Sequence, residues 1–432
     1  MVQDTTTFRI AQVRVTPILI SDPPLLNVQG VHQPYTPRTI VEVVTENGAV
    51  GLGETYGDTD YLNLATAFGP ELVGSPLVVN GLLGRVLAAA ERVEVSDLDN
   101  RVYAEGLRGA RTLPKVCNSV VSAFEVAILD ALGHELGTPV HALLGGKVRD
   151  SVDYSAYLFY RWAEHPGPGE PTDDWGAALD PAGVVAQAQR FARDYGFTSF
   201  KLKGGVFEPA EEVAAIQALA EAFPDHPLRL DPNGAWSVPT SLEVAAALEG
   251  IAEYLEDPTS GTANMAEVAK KTSLPLATNM CVTAFDEIPP AFASDAVQVV
   301  LSDHHYWGGL RATQDLAAVC RTYGVALSMH SNTHLGISLA AMTQVAATIP
   351  DLRYACDSHR PWQTEDVITE PHRFVGGAVA VSDSPGLGIE LDRASLAALH
   401  QRWLDSDVRG RDDAAAMRRV HPDWVTPQLP RW

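Results

Sequence analysis

The sequence predicts two domains, an α+β cap followed by a (β/α)8-type barrel of alternating strands and helices. A chain of 432 residues is too long for one ordinary hydrophobic core. Apolar residues make up 46% of it, which supports large buried cores. In the middle of the chain, short apolar runs that end in a polar residue recur every 23 to 29 residues. Most of them are followed by an Ala-rich amphipathic stretch, and this alternation is typical of a parallel barrel.

The N-terminal part has the pattern of an antiparallel sheet followed by helices. Residues 8–20 and 39–56 alternate between apolar and polar side chains, and the second stretch breaks at Asn47-Gly48. An Asn-Gly pair between alternating stretches predicts a hairpin. Residues 60–145 have a helical pattern, so we assign residues 1–148 to the cap.

The strand-and-helix alternation continues from there, and we assign residues 149–382 to the barrel and 383–432 to a segment that returns to the cap. The polar residues that end the barrel runs are Lys203, Asp231, Glu256, Asn279, Asp303, His330 and His359. A barrel gathers the C-terminal ends of its strands at one face, where active sites lie. We therefore expect these residues to surround one pocket.

Composition excludes several classes of partner. The net charge of −23 argues against nucleic acid and anionic membrane surfaces, so we expect neither as a partner. The sequence has no run of 18 apolar residues and no basic-then-apolar segment at its N-terminus. The four cysteines form no CxxC pair. We expect a cytoplasmic protein with buried, reduced thiols.

Three of the strand-end residues are candidate metal ligands. Asp231, Glu256 and Asn279 end successive strands and offer only oxygen atoms. Hard oxygen ligands with two negative charges favour Mg²⁺, and zinc is disfavoured because the trio contains no His or Cys. Each residue alone could serve a turn or a strand end, but their spacing predicts a magnesium site.

Two candidate bases flank these ligands around the ring. Only six of the 31 basic residues are Lys, yet two of them lie in the run FKLKGG, where Lys203 ends the strand. His330 lies two strands after Asn279, which places it across the barrel mouth from Lys203. Asp303, one unit earlier, can orient His330, although His304 and His305 crowd the same strand end and leave its partner open. Two opposed bases and Mg²⁺ suit proton abstraction next to a carboxylate.

These motifs resemble the enolase superfamily and, within it, the glucarate dehydratase family. The resemblance rests on the runs FKLKGG, DPNGAW, YLEDP, ATNM, LSDHH and MHSN and extends over nearly the whole chain. It implies a modified (β/α)7β barrel under an α+β cap, with Mg²⁺ as cofactor. It also implies that Lys203 is a base assisted by Lys201, that Asn233 lies near the substrate, and that Asp303 and His330 act as a dyad.

The resemblance further implies a set of substrate contacts. These would come from NVQGVH, YLF, CDSHRPWQ and GRDDAAAM, which contain Asn27, His32, Tyr157, Phe159, His359 and Arg411. Arg411 would bind the distal carboxylate of a diacid, for which a bidentate guanidinium is well suited.

The implied activity is Mg²⁺-dependent dehydration of an acid sugar. D-glucarate and its C5 epimer L-idarate would both yield 5-dehydro-4-deoxy-D-glucarate. Three alternatives stay open: dehydration of another aldarate such as galactarate, epimerisation, or a weakly active relative that binds a true dehydratase. We also expect the protein to be a homo-oligomer.

Overall fold

The computed structural model describes residues 8–93 and 112–432. The predicted cap range of 1–148 therefore includes two stretches, 1–7 and 94–111, that lie outside the described residues. The predicted fold class is confirmed: an α+β cap covers a nearly closed (β/α)7β barrel.

The cap contains a three-stranded antiparallel sheet with the order β1-β4-β5. Its strands and the short hairpin between them are β1 (Ile10–Ser21), β2 (Leu26–Asn27), β3 (Gly30–Val31), β4 (Tyr35–Thr45) and β5 (Val50–Tyr56). The predicted turn joins β4 to β5, where the Gly48 amide donates to the Thr45 carbonyl at 3.0 Å. Gly48 has a φ of 90°, a left-handed value that glycine adopts without strain.

Helices cover one face of this sheet. They are α1 (Thr59–Phe68), α2 (Leu82–Ala90), α3 (Leu113–Leu136) and α4 (Val140–Leu143). α3 approaches β5 so closely that a side chain at Gly51 or Gly53 would collide with a carbonyl of the helix. By length and apolar composition α3 could cross a membrane, but 89% of its apolar window is buried in this fold. We therefore assign α3 as the core helix of the cap.

The barrel consists of eight parallel strands in chain order, and the last of them pairs with the first. The strands are β6 (Ser151–Phe159), β7 (Phe200–Lys203), β8 (Leu228–Asp231), β9 (Tyr254–Glu256), β10 (Leu276–Thr278), β11 (Val299–Ser302), β12 (Ala326–Met329) and β13 (Cys356–Ser358). The connecting helices are α5 (Pro181–Tyr195), α6 (Pro209–Ala222), α7 (Val238–Ala247), α8 (Thr262–Ala269), α9 (Ile288–Ala293), α10 (His304–Trp307), α11 (Leu310–Tyr323) and α12 (Gly336–Ala346).

The C-terminal segment packs on both parts of the molecule. β14 (Ala378–Ala380) pairs antiparallel with β6. α13 (Arg393–Leu404) packs against β1 of the cap, and α14 (Asp413–Arg418) packs against β3. The chain thus returns to residues 22–34, the stretch between β1 and β4 that lies over the barrel mouth. We call this stretch the cap loop.

The strand ends bring the predicted ring together. Lys203, Asp231 and Glu256 are the last residues of β7, β8 and β9. The next four members each follow their strand by one residue, and these are Asn279, Asp303, His330 and His359. All seven lie at the C-terminal mouth of the barrel, and all are buried beneath the cap.

Candidate active site

One cavity lies between the barrel mouth and the cap. It is lined by Asn27, His32, Tyr157, Phe159, Lys203, His330, Asn332, His359 and Arg411. The set contains both predicted bases and all six predicted substrate contacts. Asn332 is the one member that the sequence analysis did not single out.

The Lys201 ammonium is enclosed by three carboxylates. Its Nζ lies 2.5 Å from Glu256 Oε2, 2.7 Å from Asp357 Oδ2 and 3.5 Å from Asp231 Oδ2. Burial alone would lower the pKa of Lys201, but Asp357, Glu256 and Asp231 together raise it above its usual value. Lys201 is therefore a permanent positive charge, suited to holding an anion and unsuited to accepting a proton.

Lys203 lies in a different electrostatic environment, although it is only two residues away. Its Nζ is 2.8 Å from Asp231 Oδ2, and the same oxygen accepts a hydrogen bond from the Tyr157 hydroxyl at 2.6 Å. Burial lowers the pKa of Lys203, the charge of Lys201 lowers it further, and Asp231 only partly opposes them. A lysine with a lowered pKa can accept a proton, as a base must.

The predicted magnesium ligands lie among more buried carboxylates than the sequence suggested. Asp231, Glu256, Asp257 and Asp357 are all at most 1% exposed. Burial and the charge of Asp231 raise the pKa of Glu256 well above its usual value. This excess of buried negative charge fits a divalent cation, and the donors are the hard oxygens that Mg²⁺ prefers.

The candidate metal ligands form a second group besides the predicted trio. Asn279 Nδ2 donates to Glu256 Oε1 at 3.0 Å, so two members of the predicted trio adjoin. A second set also converges on Glu256, because donor atoms of Glu256, His330 and Asp357 lie within 4.8 Å of one another. The trio of Asp231, Glu256 and Asn279 therefore stays a prediction about the bound state.

The backbone next to these ligands adopts a left-handed conformation at two residues that are not glycine. Asn233 has a φ of 53° and Asp257 a φ of 39°. The Asn233 amide and side chain both donate to Asp231 Oδ1, at 3.1 and 3.0 Å. Such conformations cost free energy and persist where the surroundings impose them, which is common at functional sites. Here Asn233 fixes the orientation of the Asp231 carboxylate, while the Asp257 carboxylate accepts hydrogen bonds from the Thr278 hydroxyl and the Asn279 amide.

Asp303 contacts the side chains of four residues, and one of them, His334, has its Nε2 3.5 Å from Asp303 Oδ2. Asp303 Oδ1 lies 2.7 Å from His305 Nδ1, and Oδ2 accepts a hydrogen bond from the Tyr56 hydroxyl at 3.0 Å. His330 Nδ1 is 3.8 Å from Oδ2, which is too long for a hydrogen bond but close enough for electrostatic orientation. Burial lowers the pKa of His330, which keeps its imidazole neutral and able to accept a proton.

The cap also fixes the loop that carries His330. Glu54, on β5, accepts hydrogen bonds from the amides of Leu335 and Ser338 at 3.0 and 2.9 Å. Arg38 Nε donates to the same carboxylate at 2.9 Å, and both side chains are fully buried. Glu54 of the cap domain thus accepts hydrogen bonds from backbone amides at the N-terminus of α12, the helix that directly follows this loop.

At the distal end of the cavity, the positive charge of Arg411 is balanced by two buried carboxylates. Arg411 donates to both oxygens of Asp413 at 2.9 to 3.1 Å, and its Nη1 is 3.7 Å from Asp22 Oδ2. Asn27 Nδ2 donates to Asp413 at 2.7 Å, while His32 Nδ1 lies 3.2 Å from Asp22. Arg411 is only 7% exposed, so its guanidinium belongs to the cavity wall and not to the protein surface.

Several of these residues were missed from sequence, with different causes. Asp357 lies within β13, two residues before the predicted ring member His359, so a search for further acidic residues near the strand ends could have found it. Tyr56 and Glu54 come from the cap sheet, and nothing in their local pattern indicates a contact with the barrel. Asp22 lies shortly before the NVQGVH run, but nothing in its local pattern indicates a contact with Arg411 or His32.

Comparison with known proteins agrees with this geometry. Residues 183–395 match the family model "Enolase C-terminal domain-like". The chain is 68% identical over 427 residues to a "Probable glucarate dehydratase" of Streptomyces coelicolor, covering 98% of this chain and 99% of that protein.

Two solved structures have the same fold throughout. An enolase from Pseudomonas fluorescens Pf0-1, with bound magnesium, potassium and tartrate, has a TM-score of 0.95 at 47% identity, covering 98% of this chain and 99% of the other. An enolase from Gibberella zeae PH-1, complexed with magnesium, formate and sulfate, has a TM-score of 0.92 at 50% identity, covering 98% and 97%. The chain belongs to the glucarate dehydratase family of the enolase superfamily, and it is an enzyme of the carbon–oxygen lyase class.

Proposed function

We propose that this protein dehydrates D-glucarate and L-idarate to 5-dehydro-4-deoxy-D-glucarate. The main support is that Lys203 and His330 line one cavity together with Arg411 at its far end. The relative at 68% identity supports dehydration of an acid sugar. A diacid places one carboxylate beside Lys201 and the other beside Arg411.

We assign the metal site to Asp231, Glu256 and Asn279, which would hold Mg²⁺. When bound, Mg²⁺ supplies positive charge at the carboxylate next to the reacting carbon. Lys201 adds a second, permanent charge at the same end, because its pKa is raised. Neutralising this carboxylate makes the neighbouring C–H bond more acidic.

Proton removal then depends on which epimer is bound. His330 Nδ1 faces Asp303, so Nε2 is the atom that takes the C5 proton of D-glucarate. Lys203 Nζ takes the C5 proton of L-idarate from the opposite side. On the D-glucarate path His330 then gives the proton it has taken to the leaving C4 hydroxyl, which departs as water, and the enol tautomerises to the product. On the L-idarate path the C5 proton goes to Lys203, so His330 must already be protonated to act as the acid. Exchange between the epimers would be a side reaction of this two-base arrangement.

The same proposal includes a cytoplasmic location, a small-molecule acid sugar as the substrate, no nucleic-acid or membrane partner, and assembly as a homo-oligomer. These points rest on the composition and on the family.

A substrate panel tests the proposal directly. The purified protein with Mg²⁺ would be incubated with D-glucarate, L-idarate, galactarate and gluconate, and product formation followed by NMR. We expect one common product from the first two and little from the others. The variant His330→Gln serves as the control for contaminating activity. Turnover of galactarate alone, or epimerisation without loss of water, would contradict the proposal.

A further inference from the structure

A second cavity lies at the opposite end of the barrel from the mouth. It has a volume of about 330 Å³. Its wall comes from residues that precede or begin the barrel strands, among them Ser199 before β7, Glu253 before β9 and Tyr354 before β13. We call it the floor cavity. A volume of a few hundred Å³ is enough for a small ligand.

The floor cavity carries more positive than negative charge. Three arginines line it, Arg149, Arg229 and Arg353, against two carboxylates, Asp153 and Glu253. The chain as a whole has a net charge of −23, with only 31 basic residues. The lining of the floor cavity therefore has the opposite sign of charge to the protein as a whole.

Among the described residues, one of the three guanidinium groups has carboxylate partners close by. Arg229 Nε donates to Glu253 at 2.8 Å, and its Nη1 lies 3.6 Å from Asp357 Oδ1. Arg149 donates to the backbone carbonyls of Ala346, Ile349 and Pro350, at 2.8 to 3.2 Å, and pairs with no carboxylate among the described residues. These contacts hold its side chain in place without neutralising its charge.

Arg353 is the third arginine and lies on the exposed rim. Within residues 8–93 and 112–432, it forms neither a hydrogen bond nor an ion pair. Asp153, also exposed, likewise has no ion-pair partner in the described part of the chain. One guanidinium held by backbone carbonyls and one exposed guanidinium, both without a carboxylate partner among the described residues, thus line the same concave surface.

We propose that the floor cavity binds a small oxyanion, a carboxylate or a phosphate, through Arg149 and Arg353. The planar guanidinium matches the paired oxygens of both ligand classes. The site is separate from the barrel mouth and independent of the reaction proposed there. Asp153 would limit the affinity, because its carboxylate repels an anion bound beside it.

Calorimetric titration of the Mg²⁺-loaded protein tests this proposal. Inorganic phosphate and succinate are titrated separately at one ionic strength held with chloride, so that the two arms distinguish the ligand classes. Binding of either ligand supports the site if the variants at its rim change the affinity. We expect Arg353→Gln to weaken that binding about tenfold, as loss of a charge-assisted contact does. Asp153→Asn should strengthen it several-fold.

The control is Arg193→Gln, since Arg193 is 67% exposed on α5 and, in the part of the chain that the structure describes, pairs with its neighbour Asp194 alone. It should leave the affinity unchanged. Arg353 and Asp153 are both exposed, so neither variant threatens folding. Two results would overturn the proposal: no heat of binding beyond the chloride control for either ligand, or an affinity that neither variant changes. The second result would place the anion elsewhere, including the mouth cavity.

Discussion

Lys201 Nζ lies 2.7 Å from Asp357 Oδ2, an ion pair between residues 156 positions apart in sequence. Asp357 is on β13, the strand that closes the barrel, and Lys201 is on β7. The closing strand thus supplies the main attractive charge that keeps Lys201 protonated. Lys203 points to the cavity without such a partner on β13, and its pKa is lowered. Two lysines of one four-residue strand are in this way separated into a fixed charge and a base.

The first prediction concerns the metal. Activity should vanish with EDTA and return with Mg²⁺ or Mn²⁺. Glu256→Gln should weaken Mg²⁺ binding, measured by calorimetry, because it removes one of the two ligand charges. Glu267→Gln, at an exposed position of α8, the helix that follows β9, is the matched control. Equal Mg²⁺ affinity in the Glu256→Gln variant and the wild type would contradict the assignment.

The second prediction concerns Arg411. Replacing it with Ala removes the guanidinium beside the distal end of the cavity. We expect kcat/KM for a diacid to fall about tenfold or more. For gluconate, which lacks the distal carboxylate, any measurable kcat/KM should change much less.

The buried pair with Asp413 adds a second effect of the same substitution. Loss of Arg411 leaves Asp413 buried without its partner, and breaking a buried pair costs roughly 3–5 kcal/mol of stability. Thermal unfolding of the same preparation separates this effect from substrate binding. An equal loss on diacid and monoacid would show that Arg411 is purely structural.

The third prediction concerns the contact between cap and barrel. Glu54→Gln leaves Arg38 buried without a counter-charge, so we expect a loss of roughly 3–5 kcal/mol in the free energy of unfolding. Glu42→Gln is the control on the neighbouring strand, because its partners Arg14 and Arg393 are 42% and 55% exposed. That pairing should be worth about 1 kcal/mol or less. Similar losses in both variants by chemical denaturation would refute the special role of Glu54.

The barrel and its ring were predictable from sequence because both depend on short-range patterns. A polar residue at the end of an apolar strand lies at the mouth whatever the rest of the chain does, as Asp231 and Glu256 illustrate. The hairpin at Asn47-Gly48 was predictable for the same reason, since the turn chemistry is local.

Contacts between distant elements were not predictable in this way. The partner of Asp303 depends on how the cap sheet sits on the barrel, because Tyr56 reaches it from β5. The compensation of Arg411 by Asp413 depends on the C-terminal segment lying over the cap loop. Spacing along one strand carries no information about either.

The central claim is that Lys203 and His330 attack opposite faces of one bound substrate. Exchange of the C5 proton with deuterated solvent, followed by NMR for each epimer, tests it most directly. Lys203→Ala should abolish exchange of L-idarate and leave exchange of D-glucarate at least partly intact. His330→Ala should show the reverse pattern. Equal loss of both exchange reactions in both variants, with Mg²⁺ still bound, would contradict the two-base account.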